Sequence, residues 1–150
     1  MDLKIGKTAP LFDLPSTSGK TFSLNEHKDK PLILYFYPKD FTNGCIKEAC
    51  SFRDHWDVFS DLSINIIGIS TDNIHSHLKF IETYKIPFPL LSDERGEVCR
   101  QYNAWIPFIN LPKRITYVLK QDLVISGIFS NMFQARKHVD FALTQANNLH

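Results

Sequence analysis

The chain has 150 residues, 43% of them hydrophobic, which is enough for a single domain spanning residues 1–150 with its own core. Its 17 Lys and Arg residues nearly balance 16 Asp and Glu residues, and no block of like charge suggests a nucleic-acid partner. The N-terminal stretch lacks a signal-peptide core and no apolar run could span a bilayer, so we expect a cytoplasmic protein without a membrane partner.

The first half of the chain predicts short strands, a buried strand and a long helix. Short strand patterns at 11–14 and 21–24 flank a turn-rich segment and form a candidate N-terminal hairpin. Residues 32–37 are apolar throughout, as in a central strand covered on both faces. Apolar residues at steps of three and four then predict a helix over 43–60, followed by a second buried strand over 63–70.

The second half predicts helices and a hairpin. We expect a helix over 74–84 capped by Asp72 or Asn73, a short helix over 93–102, a hairpin from 115–119 and 123–129, and a final helix over 132–147. Alternating strands and helices favour a three-layer α/β fold. The connection through the helix over 43–60 should be a right-handed crossover that makes its two flanking strands parallel.

Two of the three cysteines, Cys45 and Cys50, lie five residues apart near the start of the helix predicted over 43–60. A helix N-terminus has free N–H groups and a partial positive charge, which lower a thiol pKa and raise its reactivity. Five helical residues separate the two Cα atoms by roughly 8.7 Å, beyond the reach of a disulfide. A disulfide between them therefore requires the helix to unwind.

Other interpretations of the cysteines stay open at this point. Both could be small buried residues, which is common for free cysteine. A metal site with His55 is disfavoured, because five-residue steps point the three side chains in different directions. A thioredoxin-like dithiol normally spaces its cysteines two residues apart. Cys99, on the short helix over 93–102, is expected to serve packing.

Several separated motifs resemble one known family. The stretch Tyr35-Phe36-Tyr37-Pro38-Lys39-Asp40-Phe41-Thr42-Asn43-Gly44-Cys45 resembles the reactive-cysteine motif of peroxiredoxins. The stretches 48–54, 68–72 and 90–94 are similar to the Q-type subfamily, also called bacterioferritin comigratory proteins. The resemblance runs from about residue 6 to about residue 129. The subfamily usually has Pro where this chain has Asn43.

The resemblance implies a thioredoxin-like fold with a central mixed sheet flanked by helices, and a set of site residues. By position, Cys45 matches the peroxidatic cysteine and Cys50 the resolving cysteine. Pro38 and Thr42 match residues that shield and hydrogen-bond the sulfur. Arg114 matches the active-site arginine, and Glu48 matches an acid behind it.

The implied activity is a thiol peroxidase that reduces hydrogen peroxide and alkyl hydroperoxides without a cofactor or metal. Cys45 would become a sulfenic acid, condense with Cys50, and be recycled by thioredoxin or a similar dithiol. The chain would be a monomer or a weak homodimer. The alternative function is a redox-sensing or dithiol carrier module of the same fold, without peroxidase turnover.

Overall fold

The structure is a computed structural model and describes residues 3–149. In chain order the strands are β1 (Asp13–Pro15), β2 (Thr21–Ser23), β3 (Leu32–Phe36), β4 (Asn65–Ser70), β5 (Leu90–Ser92), β6 (Trp105–Ile106), β7 (Leu111–Pro112), β8 (Ile115–Lys120) and β9 (Val124–Ser130). The α-helices are α1 (Asn43–Asp54), α2 (Trp56–Asp61), α3 (Ile74–Tyr84), α4 (Glu97–Gln101) and α5 (Ala135–Ala146). None of the helices in this described part is long and apolar enough to cross a membrane.

A five-stranded mixed sheet, in the order β5-β4-β3-β8-β9, forms the centre of the fold. Strand β3 is parallel to β4, as predicted for the crossover through α1, and antiparallel to β8. The predicted late hairpin is β8 with β9, and the predicted N-terminal hairpin is β1 with β2. The predicted arrangement of a central mixed sheet flanked by helices is therefore confirmed.

Both faces of β3 are buried, because its side chains alternate between two hydrophobic clusters. Leu32, Leu34 and Phe36 pack with residues of the N-terminal hairpin and α4. Ile33 and Tyr35 pack with residues of α1, α2, α3 and α5. Helix α1 is thereby fixed against the sheet at the end of β3, and its first turn carries Cys45.

The helix predicted over 43–60 is wrong in its length, because it breaks at His55. This residue has φ −106° and ψ 11°, outside helical values, and separates α1 from α2. Its ring Nδ1 contacts the Ser51 carbonyl oxygen at 2.8 Å, and its backbone N–H donates to the same oxygen at 3.3 Å. Cys45 and Cys50 nevertheless share one uninterrupted helix.

Further elements differ from the prediction, among them the final helix, which begins at Ala135 rather than at residue 132. The short helix begins at Glu97 rather than at residue 93, because Gly96 before it takes a positive φ of 71°. The three-residue strand β5 and the small antiparallel pair β6 with β7 were not predicted. Phe108 and Ile109, in the loop that joins this pair, are exposed.

Candidate active site

Cys45 lies in the first turn of α1, where the strand–loop–helix order of the sequence placed it. Its side chain is only 1% exposed and packs in the same cluster as Ala49 and Phe52. Thr42 is the N-cap residue with extended backbone, and the Ile46 N–H donates to its carbonyl oxygen at 2.8 Å. The helix start therefore delivers the sulfur into the protein rather than into solvent.

Arg114, the residue immediately before β8, contacts this sulfur. Its Nη2 donates to Cys45 Sγ at 3.4 Å, and its Nη1 donates to Glu48 Oε1 at 2.6 Å. Its Nε donates to the Met132 carbonyl oxygen at 3.1 Å. The guanidinium is thus held at three nitrogens, so its charge is fixed beside Cys45 and Glu48.

Gly44 leaves the room that this arginine needs. A Cβ atom added at Gly44 would lie 2.8 Å from Arg114 Nη2. A side chain at this position would meet the guanidinium before it met solvent. Close approach of the helix backbone to Arg114 explains the absence of a side chain here.

The ionisation of Cys45 does not follow the prediction of a lowered thiol pKa. Burial raises the pKa of the Cys45 thiol, although Arg114, the Thr42 hydroxyl and the Lys39 backbone act to lower it. The cause is burial: the partial positive charge of the helix start favours the thiolate, but removal of the sulfur from water disfavours it more strongly. The thiolate therefore depends on how much of the Arg114 charge it receives.

Glu48 competes with Cys45 for that charge. Its carboxyl group is fully buried, and burial raises its pKa to about 8 despite the lowering effect of Arg114. Only Oε1 has a partner, since Oε2 accepts no hydrogen bond within the described residues. The sequence had marked Glu48 as the acid behind the arginine, and the structure places it there.

Thr42 and Pro38 occupy the loop before α1. The Thr42 hydroxyl donates to the Lys39 carbonyl oxygen at 2.7 Å and does not cap the helix through its side chain. It also lies against the Cys45 sulfur. Because a hydroxyl has one hydrogen, it can donate to a thiolate only by releasing the Lys39 carbonyl. Pro38 follows β3 by two residues and is half-buried; its shielding role stays a prediction.

Cys50 is not gathered into this site. It is a half-buried free thiol one and a half turns further along α1, where it lines an open pocket with Lys47, His55 and Arg136. Burial is also the main reason that the pKa of its thiol is raised. Cys99 is a free, fully buried thiol, in agreement with a packing role.

A buried polar network beneath the loop was missed by the sequence analysis. Asp40 accepts from the Tyr37 hydroxyl at 2.6 Å, and its other oxygen lies 2.7 Å from His77 Nδ1. His77 Nε2 faces the Leu91 carbonyl oxygen at 2.9 Å. Asp40, Asp72 and His77 lie close enough together to hold an ion, but both ring nitrogens already face acceptors. The network anchors the loop between β3 and α1 to α3 and β5.

His138 and Thr116 were also missed, although they lie directly behind Glu48. His138 Nδ1 is 2.8 Å from the Thr116 hydroxyl and 3.7 Å from Glu48 Oε2. In the sequence, His138 falls within the buried stripe of α5, where a lone histidine cannot be told from a packing residue. The signal that could have indicated His138 was its polar side chain within the otherwise apolar face of α5.

Comparisons with known proteins agree with this geometry. The model of the AhpC/TSA family matches residues 5–128. The chain is 42% identical over 147 residues to a chloroplastic peroxiredoxin Q of Sedum lineare, covering 96% of this chain and 78% of that protein. It is 41% identical over 135 residues to a putative peroxiredoxin bcp of Coxiella burnetii, covering 86% and 89%.

Solved structures give the same result. The peroxidoxin BcpB from Mycobacterium tuberculosis superimposes with a TM-score of 0.92 at 35% identity over 99% of each chain. A bacterioferritin comigratory protein from Xanthomonas campestris, described for alkyl peroxide reduction, superimposes with a TM-score of 0.85 at 25% identity, covering 91% of this chain and 90% of that one. The predicted thioredoxin-like arrangement is thus the fold of these proteins.

Proposed function

Because the chain belongs to the AhpC/TSA family and is a thiol-dependent peroxidase of its peroxiredoxin Q branch, we propose that Cys45 is the thiol that attacks the peroxide. The single observation that carries this assignment is the contact of Arg114 Nη2 with Cys45 Sγ at 3.4 Å. Cys50 and Cys99 have no such partner among the contacts of the described residues. A guanidinium group held in place beside one buried sulfur can stabilise the negative charge that moves from sulfur to oxygen during the reaction.

In the proposed reaction, the Cys45 thiolate attacks the terminal oxygen of a hydroperoxide. An S–O bond forms, the O–O bond breaks, and the departing alkoxide takes a proton to become an alcohol. The sulfur is oxidised to a sulfenic acid as the peroxide is reduced. Arg114 remains charged throughout and faces the centre where charge moves from sulfur to oxygen.

Cys50 would then resolve the sulfenic acid. Its thiolate attacks the Cys45 sulfur, water leaves and a disulfide forms, for which α1 must unwind because the helix holds the Cα atoms roughly 8.7 Å apart. Features of the helix start support this step. Thr42 and Asn43 are exposed, the N-cap side chain makes no cap bond, and Phe41 has a strained positive φ of 65°.

A dithiol protein of the thioredoxin type would then reduce the disulfide by thiol exchange. The proposed substrates are hydrogen peroxide and alkyl hydroperoxides. We also propose that the protein is cytoplasmic and acts as a monomer or a weak homodimer.

The proposed function is tested by peroxide consumption with a thioredoxin, its reductase and a nicotinamide reductant. The wild-type protein should consume many equivalents of hydrogen peroxide, and Cys45→Ser should consume none above background. Cys99→Ser is the matched control and should retain the wild-type rate. If the wild-type protein is oxidised by one equivalent of hydrogen peroxide and then consumes no more, the result would instead support the alternative function of a redox-sensing module.

A further inference from the structure

His138 is a fully buried imidazole that the proposed reaction does not use. Its Nε2 lies 2.7 Å from the Asn131 carbonyl oxygen, which can only accept, so Nε2 carries a hydrogen. In a neutral ring, Nδ1 is then a bare acceptor. Nδ1 faces two groups from two other elements: the Thr116 hydroxyl at 2.8 Å and Glu48 Oε2 at 3.7 Å.

Glu48 Oε2 is the unsatisfied atom of this pair. It is buried without a hydrogen-bond partner among residues 3–149, whereas Nδ1 already accepts from the Thr116 hydroxyl and offers Oε2 only a lone pair at 3.7 Å. A proton on Oε2 would replace the repulsion between two lone pairs by a donor that faces Nδ1. Leaving such a buried group unpaired costs free energy, so the site favours holding that proton.

The protonation of Glu48 affects Cys45 through the charges around the pair. The titratable groups that face it are Arg114 from the residue before β8, Cys45 from α1 and Tyr35 from β3. Burial raises the pKa of the Tyr35 phenol well above its ordinary value, which keeps it neutral. Among the described residues, Arg114 is the cation in contact with both groups, so a Glu48 carboxylate and a Cys45 thiolate would share its charge. When Glu48 is neutral, the whole charge is available to the sulfur.

We propose, on the basis of the proposed function, that Glu48 and His138 form an internal proton site in which His138 is the positioning residue. The site keeps its proton on Glu48, so the carboxyl group is neutral and the Arg114 charge is left to the Cys45 thiolate. The Cys45 thiol loses its own proton to water when the thiolate forms. The S–O bond then forms as the O–O bond breaks, and the departing alkoxide takes a proton from water. Glu48 therefore stays neutral throughout the reaction.

The ionisation preferences of the two groups are consistent with this assignment. Burial raises the pKa of Glu48 to about 8 and lowers the pKa of His138 to about 4. At neutral pH the proton accordingly resides on Glu48, with His138 as its neutral acceptor. Thr116 tunes the acceptor, since its hydroxyl donates to the same Nδ1.

The test is an ultraviolet titration of the Cys45 thiolate, taken as the difference from Cys45→Ser. In His138→Gln the midpoint should rise by about one pH unit or more, and peroxide oxidation below it should slow about tenfold. In Thr116→Val the midpoint should fall, because Nδ1 loses its competing donor. The matched control is His27→Gln. His27 lies in the loop after β2 and its ring contacts the Ser23 carbonyl oxygen, so the Cys45 midpoint of this variant should equal the wild-type value.

A structural role alone would lower the melting temperature of both variants without moving the midpoints in opposite directions. Wild-type midpoints in folded His138→Gln and Thr116→Val would overturn the proposal. If His138→Gln does not fold, infrared spectra with labelled glutamate supply a second readout. A protonated carboxyl band at neutral pH, lost in Glu48→Gln and shifted in Thr116→Val, is expected, and its absence from the wild type would also overturn the proposal. Failure of peroxide to oxidise Cys45 would instead refute the proposed function, because the ultraviolet titration and the infrared spectra need no peroxide.

Discussion

Arg114 donates to the Cys45 sulfur although 69 positions separate the two residues in the chain. Strands β3 and β8 are hydrogen-bonded neighbours, with Phe36 beside Ile115, so the residue before β8 meets the helix that follows β3. The sheet register thus brings the fixed positive charge to the buried thiol.

Replacing Arg114 by Met should slow peroxide oxidation of Cys45 by about 10²- to 10³-fold, the usual effect of removing one charge-stabilising donor. The rate of Arg114→Lys should be intermediate, because lysine restores the positive charge without the two planar guanidinium donors. Second-order rates from stopped-flow mixing provide the measurement. Since Arg114→Met removes the buried donor to Glu48 Oε1, the double variant with Glu48→Gln controls for lost stability. An unchanged rate in the folded double variant would remove Arg114 from its role.

Gly44→Ala should displace Arg114, because the new Cβ would lie 2.8 Å from Nη2. The same peroxide assay should show a slower first step with little loss of secondary structure. Gly96→Ala is a contrasting control, since its Cβ would meet the Trp105 ring and its φ is positive, far from the sulfur. That control should lose stability and keep its rate. Equal rates in Gly44→Ala and wild type would show that the guanidinium tolerates the side chain.

Asn43→Pro should slow the resolving step and spare the peroxide step. Asn43 is the first residue of α1, where proline is favoured, and Thr42 has the extended backbone that a following proline requires. The substitution should stabilise the helix start by about 0.4–1 kcal/mol and slow disulfide formation about two- to fivefold. Quenched samples analysed for free thiols follow the disulfide. Faster disulfide formation in this variant would contradict unwinding as the limiting step.

Glu48 and His138 should shape the dependence of stability on pH in opposite senses. The folded pKa of Glu48 is about 8 against an ordinary 4.5, so the folded protein binds the extra proton and loses stability as pH rises towards 8. The folded pKa of His138 is about 4 against 6.5, so the unfolded chain binds the extra proton and stability is lost as pH falls from 6.5 towards 4. Above pH 6.5 only the Glu48 effect remains.

Denaturant unfolding of Glu48→Gln and wild type at several pH values tests this account. The difference in unfolding free energy should move in favour of the variant between pH 6.5 and 8. Glu94→Gln, an exposed carboxyl outside the site, is the matched control and should follow the wild-type curve. A constant difference between Glu48→Gln and wild type would mean that Glu48 is ionised at neutral pH.

The sequence predicted long, regular elements better than short or interrupted ones. Helix α3 was predicted with its observed bounds, and Asn73 caps it by accepting from the Ser76 N–H at 2.8 Å. Strand β5 has only three residues and directly follows Pro89, so periodicity could not indicate it. The break at His55 lies in its backbone dihedral angles, which leave no trace in the apolar pattern.

The site divides in the same way. Cys45 was indicated by its position at a helix start, whereas Arg114 and Glu48 came from the family resemblance, since no local pattern connects residues so far apart. The raised pKa of Cys45 was not predicted, because it depends on burial by neighbours from several elements. His138 and Asp40 were missed because their partners are set by tertiary structure.

The central claim is that Cys45 attacks the peroxide and Cys50 resolves it. Its most direct test is rapid-quench peptide mass spectrometry of the reduced protein mixed with one equivalent of hydrogen peroxide, with a sulfenic-acid trap present. We predict a Cys45–Cys50 disulfide in the wild type, trapped sulfenic acid on Cys45 in Cys50→Ser, and neither product in Cys45→Ser. Trapped sulfenic acid on Cys50 in Cys45→Ser, formed as fast as any wild-type product, would contradict the account.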